Sequence, residues 1–117
     1  MIRFVIDEEE MKLKTTNTPA LKLNNGVEMP ALALGVFSQL PGQTAGAVEY
    51  AINSGYRLID TAAAYFNERQ VGERVRRSGI DRSELFITTK LWITDYGYES
   101  TLRACDRGNR NNTRRGY

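Results

Sequence analysis

Three short apolar runs, residues 31–37, 56–60 and 85–89, alternate with two stretches whose apolar residues fall at helical spacing. This alternation constrains the fold more than any other feature, because strands separated by helices pair most simply as parallel neighbours joined by crossovers. Each run is short enough for a strand buried on both faces and too short for an ordinary helix. Between 43 and 54, Ala47, Val48, Ala51 and Ile52 share one helical face, with Thr44 available at the start and Gly55 suited to the left-handed residue past the end. Between 68 and 77, Val71 and Val75 stand one turn apart, opposite the charges; Asn67 is the expected cap and Gly79 the expected stop.

Ahead of this unit, Asn25-Gly26 lies between two short alternating segments, the strongest short-range signal for a β-hairpin. Behind it, residues 98–105 open a third helical pattern that dissolves among arginines and asparagines beyond Cys105. Two parallel architectures compete, and the first strand-to-helix turn separates them. A doubly wound dinucleotide-binding sheet would carry Gly-x-Gly-x-x-Gly there, whereas the chain reads Gly35-Val36-Phe37-Ser38-Gln39-Leu40-Pro41-Gly42. A (β/α)8 barrel instead spreads its reactive groups over several strand ends, as Asp60 and Lys90 are spread here. The expected fold is therefore α/β, the N-terminal part of a (β/α)8 TIM barrel preceded by a β-hairpin.

Composition narrows the class: 117 residues with 41% hydrophobic and 26% charged side chains make at most one soluble domain. No apolar run approaches the roughly 18–20 residues that span a bilayer. The acidic Asp7-Glu8-Glu9-Glu10 follows the apolar opening, the wrong charge order for a secretory signal, so a cytoplasmic location without a membrane partner is expected. A single cysteine, Cys105, and no histidine exclude an internal disulfide and argue against zinc; the thiol is expected unpaired and no metal is expected. Between Arg103 and Tyr117, five arginines against Asp106 place +4, so the first 102 residues carry −2 of the whole-chain +2. That stretch has no large aliphatic residue after Leu102 and is expected to be disordered. Without interleaved aromatics, its arginines do not make a nucleic-acid partner the expectation.

Three ionisable groups, Asp60, Tyr65 and Lys90, fall at or near the ends of apolar strands. One polar residue at a strand end is ordinary; three inside specific strings are not. Leu23-Asn24-Asn25-Gly26-Val27-Glu28-Met29-Pro30-Ala31-Leu32, Arg57-Leu58-Ile59-Asp60-Thr61-Ala62-x-x-Tyr65-x-Asn67-Glu68 and Thr88-Thr89-Lys90-Leu91-Trp92 resemble the aldo-keto reductase family over about residues 21–103. The branch they most resemble contains bacterial 2,5-diketo-gluconate reductases and related carbonyl reductases. The resemblance implies a barrel opened by a hairpin and NADPH-dependent reduction of an aldehyde, ketone or keto sugar to an alcohol. It also implies a tetrad of Asp, Tyr, Lys and His. Tyr65 matches the proton donor, Lys90 the lysine beside it and Asp60 its paired aspartate; the histidine has no counterpart. A phenol with a reference pKa near 10 is a poor acid at neutral pH, and a neighbouring ammonium favours its anion, the part Lys90 would play. By the same resemblance, Val36 and Asp60 approach the nicotinamide end of the cofactor, and the phosphate-gripping groups lie in the family's later half. Trp92 is either a wall of the substrate pocket or ordinary packing.

The expected layout is an N-terminal extension over 1–20, a partial barrel over 21–103 and a basic tail over 104–117, with Met11 an alternative start. The loss of apolar periodicity with a surge of arginine after Leu102 is what a shifted reading frame produces. The alternative to a working reductase is thus a truncated or frameshifted, catalytically inactive fragment. Three strands of a barrel leave an open edge, so self-association or completion by a second chain is the expected route to persistence.

Overall fold

A computed structural model describes residues 19–113. The expectations placed on 1–18 and 114–117 lie outside the described residues. Strands β1 (Ala20–Lys22) and β2 (Glu28–Pro30) pair antiparallel with Leu21 opposite Met29. Their loop closes with the Gly26 N–H donating to the Leu23 carbonyl at 2.9 Å and the Leu23 N–H to the Val27 carbonyl at 2.8 Å. Gly26 takes the left-handed conformation, φ +85°, that a side chain resists, and Asn25 Oδ1 accepts the Val27 N–H at 3.1 Å. The hairpin forms where Asn25-Gly26 placed it.

The main sheet runs β3 (Ala33–Gly35), β4 (Leu58–Asp60), β5 (Phe86–Thr88), all parallel and in sequential order. Sequential order is that of a barrel sector; the first three strands of a doubly wound sheet share it, so the first strand-to-helix turn is what separates the two. The regular strands are shorter than the apolar runs that announced them, but the ladder continues past their ends. The N–H groups of Val36, Thr61 and Ala63 donate to the carbonyls of Asp60, Thr88 and Lys90 at 3.1, 2.9 and 3.1 Å. Leu34, Ile59 and Ile87 lie side by side on one face of the sheet, and Gly35, Asp60 and Thr88 on the other.

Helices α1 (Pro41–Asn53), α2 (Glu68–Arg77) and α3 (Tyr98–Thr113) are neighbours in chain order. Ile59 and Val36 pack with Val48, Ala51 and Ile52 of α1 and Val71 and Val75 of α2, so the first face of the sheet holds the core. Burial of these aliphatic side chains, at about 1.5–3 kcal/mol each, is what joins helices to sheet. α1 starts earlier than its apolar pattern because Pro41 opens the first turn. Thr44 accordingly does not cap it; its hydroxyl donates back to the Leu40 carbonyl at 3.1 Å. Gly55 takes the expected left-handed conformation after α1, at φ +94°, and Gly79, the expected stop of α2, takes it too, at φ +75°. Among the described residues no helix is long and apolar enough to cross a membrane.

α3 corrects one expectation: it continues through Thr113, so order extends well past residue 103, where the tail was expected to begin. Its second half is held by polar contacts and close helix approach, which apolar periodicity does not register. Asn111 and Asn112 donate to the buried Glu68 carboxylate of α2 at 3.2 and 3.3 Å. Gly72 lets the helices meet, since a Cβ there would stand 1.9 Å from the Asn111 carbonyl oxygen. Gly72→Ala is therefore expected to destabilise by about 1–3 kcal/mol through overpacking, and each kcal/mol lowers Tm by about 4–8 °C in a domain of this size. Gly46→Ala in α1, where a Cβ meets nothing within 4 Å, is expected to stabilise by up to about 1 kcal/mol. Thermal unfolding followed by circular dichroism checks both; equal shifts would show that α3 does not press on Gly72.

Candidate active site

The site grows from the register of β4 against β5. Asp60 lies directly opposite Thr88, and the two-residue period of a strand carries Lys90 along the same face as Thr88. β5 thus presents one donor to each oxygen of the Asp60 carboxylate: the Thr88 hydroxyl to Oδ1 and Lys90 Nζ to Oδ2, the latter at 2.7 Å. Lys90 also donates to the Thr61 carbonyl at 3.0 Å. Two of the three ammonium protons are occupied, and the phenol ring of Tyr65 lies beside the nitrogen, which is 5.4 Å from its centroid.

Tyr65 itself is not at a strand end. It closes a short helical turn, Ala63–Tyr65, in the loop between β4 and α2, and its ring packs against the core. Phe37 meets it edge to face, with centroids 5.1 Å apart and planes at 62°. Phe37 is 70% exposed, an apolar ring presented at the carboxyl end of the sheet. Ser38 beside it and Phe66 beside Tyr65 both take left-handed backbone, at φ +56° and +54°. Non-glycine residues hold that conformation at a cost of order 1–3 kcal/mol and cluster where side chains must be aimed.

Beneath the site lies a buried polar clamp. Asn67 stands at the expected N-cap position but does not cap α2. Its amide nitrogen donates to the Val36 carbonyl at 2.9 Å and to Thr44 Oγ1 at 3.3 Å, and its Oδ1 accepts from the Thr61 hydroxyl at 2.8 Å. Val36, expected beside the nicotinamide, has a fully buried side chain in the helix-facing core. That side chain cannot line a cofactor surface, because strand alternation turns it away; Phe37, one residue on, is the exposed neighbour of Tyr65.

Burial pushes the Asp60 carboxyl up, but hydrogen bonds from Lys90 and Thr88 and the ammonium charge outweigh it and hold the carboxyl below its ordinary value. Burial pulls Lys90 down; the hydrogen bond and charge of Asp60, with a smaller push from Tyr65, overcome this and raise it. The signs set a pH window. Asp60 contributes stability above about pH 4 and loses it as the pH falls through its lowered folded value, while Lys90 contributes below about pH 10.4 and loses it as the pH rises through its raised one. The side chains are 35% and 52% exposed, so screening limits the pair to about 0.2–1 kcal/mol. Lys90→Met is expected to lower the urea midpoint at pH 7 and to have a smaller effect at pH 3. An equal difference at both values would mean that the ion pair contributes nothing to folding.

Beside Lys90 opens a cleft of about 350 Å³, lined among others by Ala64, Glu68, Lys90, Trp92, Cys105 and Gly108. Trp92 is 46% exposed, and Cys105 is a free thiol. Neither Asp60 nor Tyr65 lines this cleft. Of the residues sequence reading missed, Thr88 was recoverable from the two-residue period that links it to Lys90. Phe37 was recoverable only once the strand was known to turn Val36 inward. Among the described residues no group of three metal-ligating side chains converges.

A sector of parallel barrel with a carboxylate and an ammonium at the carboxyl ends of its strands, and a phenol in the loop beside them, defines the class of (β/α)8-barrel enzymes. Residues 38–115 match the aldo/keto reductase family. Morphine 6-dehydrogenase of Pseudomonas putida is 62% identical over 89 residues, covering 76% of this chain and 30% of that protein. Glyoxal reductase of Bacillus subtilis is 50% identical over 96 residues, covering 81% and 35%. Among solved structures, an aldo/keto reductase from Brucella melitensis superposes with a TM-score of 0.78 at 45% identity, over 81% of this chain and 36% of that one. The Bombyx mori aldo-keto reductase in complex with NADP follows at 0.77 and 35%, over 81% and 34%. The chain belongs to the aldo/keto reductase family, and it spans about a third of the length of the curated relatives it matches.

Proposed function

We propose that this site acts in NADPH-dependent reduction of a small aldehyde or ketone to an alcohol. The observation that carries the reading is the Lys90 ammonium, tied to Asp60 at 2.7 Å and lying beside the Tyr65 ring. Tyr65 is proposed as the proton donor: its O–H bond breaks as the carbonyl oxygen becomes a hydroxyl, and the phenolate left behind is stabilised by the neighbouring ammonium. Asp60 holds that ammonium in place and charged, and Thr88 fixes the carboxylate that does so. A reduced nicotinamide, when bound, supplies the hydride that reaches the carbonyl carbon. The residues present suit its nicotinamide end, since Phe37 and Tyr65 offer aromatic surface next to the half-exposed Asp60. Trp92 is proposed as a substrate contact on the Lys90 side.

Relatives support the substrate class. One is named for glyoxal, and a solved neighbour at 32% identity is titled a putative 2,5-diketo-D-gluconic acid reductase B; a keto sugar is the finer candidate. In a second reading, Asp60, Tyr65 and Lys90 keep their geometry without turnover. Fluorescence titration of the purified chain with NADPH, then NADPH oxidation with glyoxal, separates the two. Saturable binding with turnover supports the reductase; a folded chain that does neither supports the non-catalytic reading.

A further inference from the structure

We propose that the cleft beside Lys90 binds an organic ammonium ion with an apolar or aromatic body, with Glu68 as its counter-ion. This goes beyond carbonyl reduction: neither Asp60 nor Tyr65 lines the cleft, although Lys90 and Trp92, proposed above for the reaction and its substrate, do. Its volume, about 350 Å³, lies within the range of small-ligand sites.

The charge arrangement selects the ligand. Two cations border the cleft, and both are already paired: Lys90 with Asp60, and Arg107 with Asp95, each at 2.7 Å. Glu68 is different. It is only 8% exposed, and the donors it receives are neutral: the Thr89 hydroxyl and the Asn112 amide on Oε1, and the Asn111 amide on Oε2, at 2.7, 3.3 and 3.2 Å. Among the described residues it forms no ion pair. A carboxylate so deeply buried is favoured by a cation it can reach.

Glu68 lines the cleft, and Gly108 on α3, itself buried, is the residue set against its carboxylate. A Cβ there would stand 3.6 Å from Glu68 Oε1 and 3.5 Å from Thr89 Cγ2, so no side chain of that residue covers the carboxylate. The other walls suit an apolar cation and not a hydrated metal ion. Phe66 and Trp92 both border the cleft with exposed rings, which attract ammonium groups through their faces. The other carboxylate on the cleft, Asp95, is already paired with Arg107, and among the described residues no group of three metal-ligating side chains converges.

Trp92 is the only tryptophan of the chain, so its fluorescence reports occupancy of the cleft directly. The full chain is titrated with benzylammonium chloride and, separately, with benzyl alcohol, which has nearly the same shape without the charge. A saturable response to benzylammonium, at least tenfold tighter than to the alcohol, is expected. Glu68→Gln is expected to weaken it at least tenfold. Gly108→Leu fills the space over the carboxylate and favours the helix, and is expected to abolish the response while retaining helical circular dichroism. Should Glu68→Gln fail to fold, the two ligands and Gly108→Leu decide the matter. No saturable response, equal affinity for the alcohol, or an unaltered response in Gly108→Leu would overturn the proposal.

Discussion

Replacing Tyr65 by phenylalanine is expected to lower NADPH-dependent carbonyl reduction by roughly 10²- to 10⁴-fold, the usual contribution of a positioned general acid. The substitution removes one oxygen. The ring keeps its edge-to-face contact with Phe37 and its packing against the core, so the fold should survive. The loss should fall on kcat more than on KM, because the hydroxyl's largest gain comes as charge develops on the carbonyl oxygen. Rates of NADPH oxidation in the two proteins, with circular dichroism to establish equal folding, make the comparison. A rate within a few-fold of the parent would remove Tyr65 from the proton-transfer role. The same experiment on Lys90→Met tests the partner, since the phenolate would then lack its neighbouring charge.

The second large effect is on stability. Asn67→Leu is expected to cost several kcal/mol although leucine is similar in size and the position is fully buried. The reason is what it leaves behind. The Val36 carbonyl loses its amide donor and the Thr61 hydroxyl loses its acceptor; each orphaned buried group costs about 1–3 kcal/mol. The clamp also spans the chain widely, joining the end of β3, the first turn of α1 and the residue after Asp60. Loosening it should therefore disturb Phe37 and Asp60 together. Urea unfolding measures the loss. A midpoint close to that of the parent would mean that water or a shifted loop satisfies these groups.

Much of this was legible in the chain before folding. Val48, Ala51, Ile52, Val71 and Val75 announce their helices because burial on one face demands the helical period. Gly26, Gly55 and Gly79 announce the breaks because only glycine takes those backbone angles without strain. Asp60, Tyr65 and Lys90 were proposed from the strings that contain them, and the structure brings the three side chains together. What went unseen was of another kind. Asn67 sits where a cap belongs, and nothing local says that its amide would reach the carbonyl of a residue 31 positions earlier. The second half of α3 lacks apolar periodicity, and only its crossing over Gly72 and Glu68 explains why it is helical.

The sequence by itself determined the elements, their parallel order and the three groups of the proposed reaction, since each depends on residues close together in the chain or on a pattern of fixed period. Only the tertiary structure decided which way each side chain faces and what it meets: Val36 inward and Phe37 outward, Thr88 on Asp60 Oδ1, Glu68 buried beside a cleft with no ion pair among the described residues. Those facts rest on the register of β4 between its neighbours and on how closely α3 approaches α2. Both are settled by contacts between residues far apart in the chain, whose pairing no local pattern encodes.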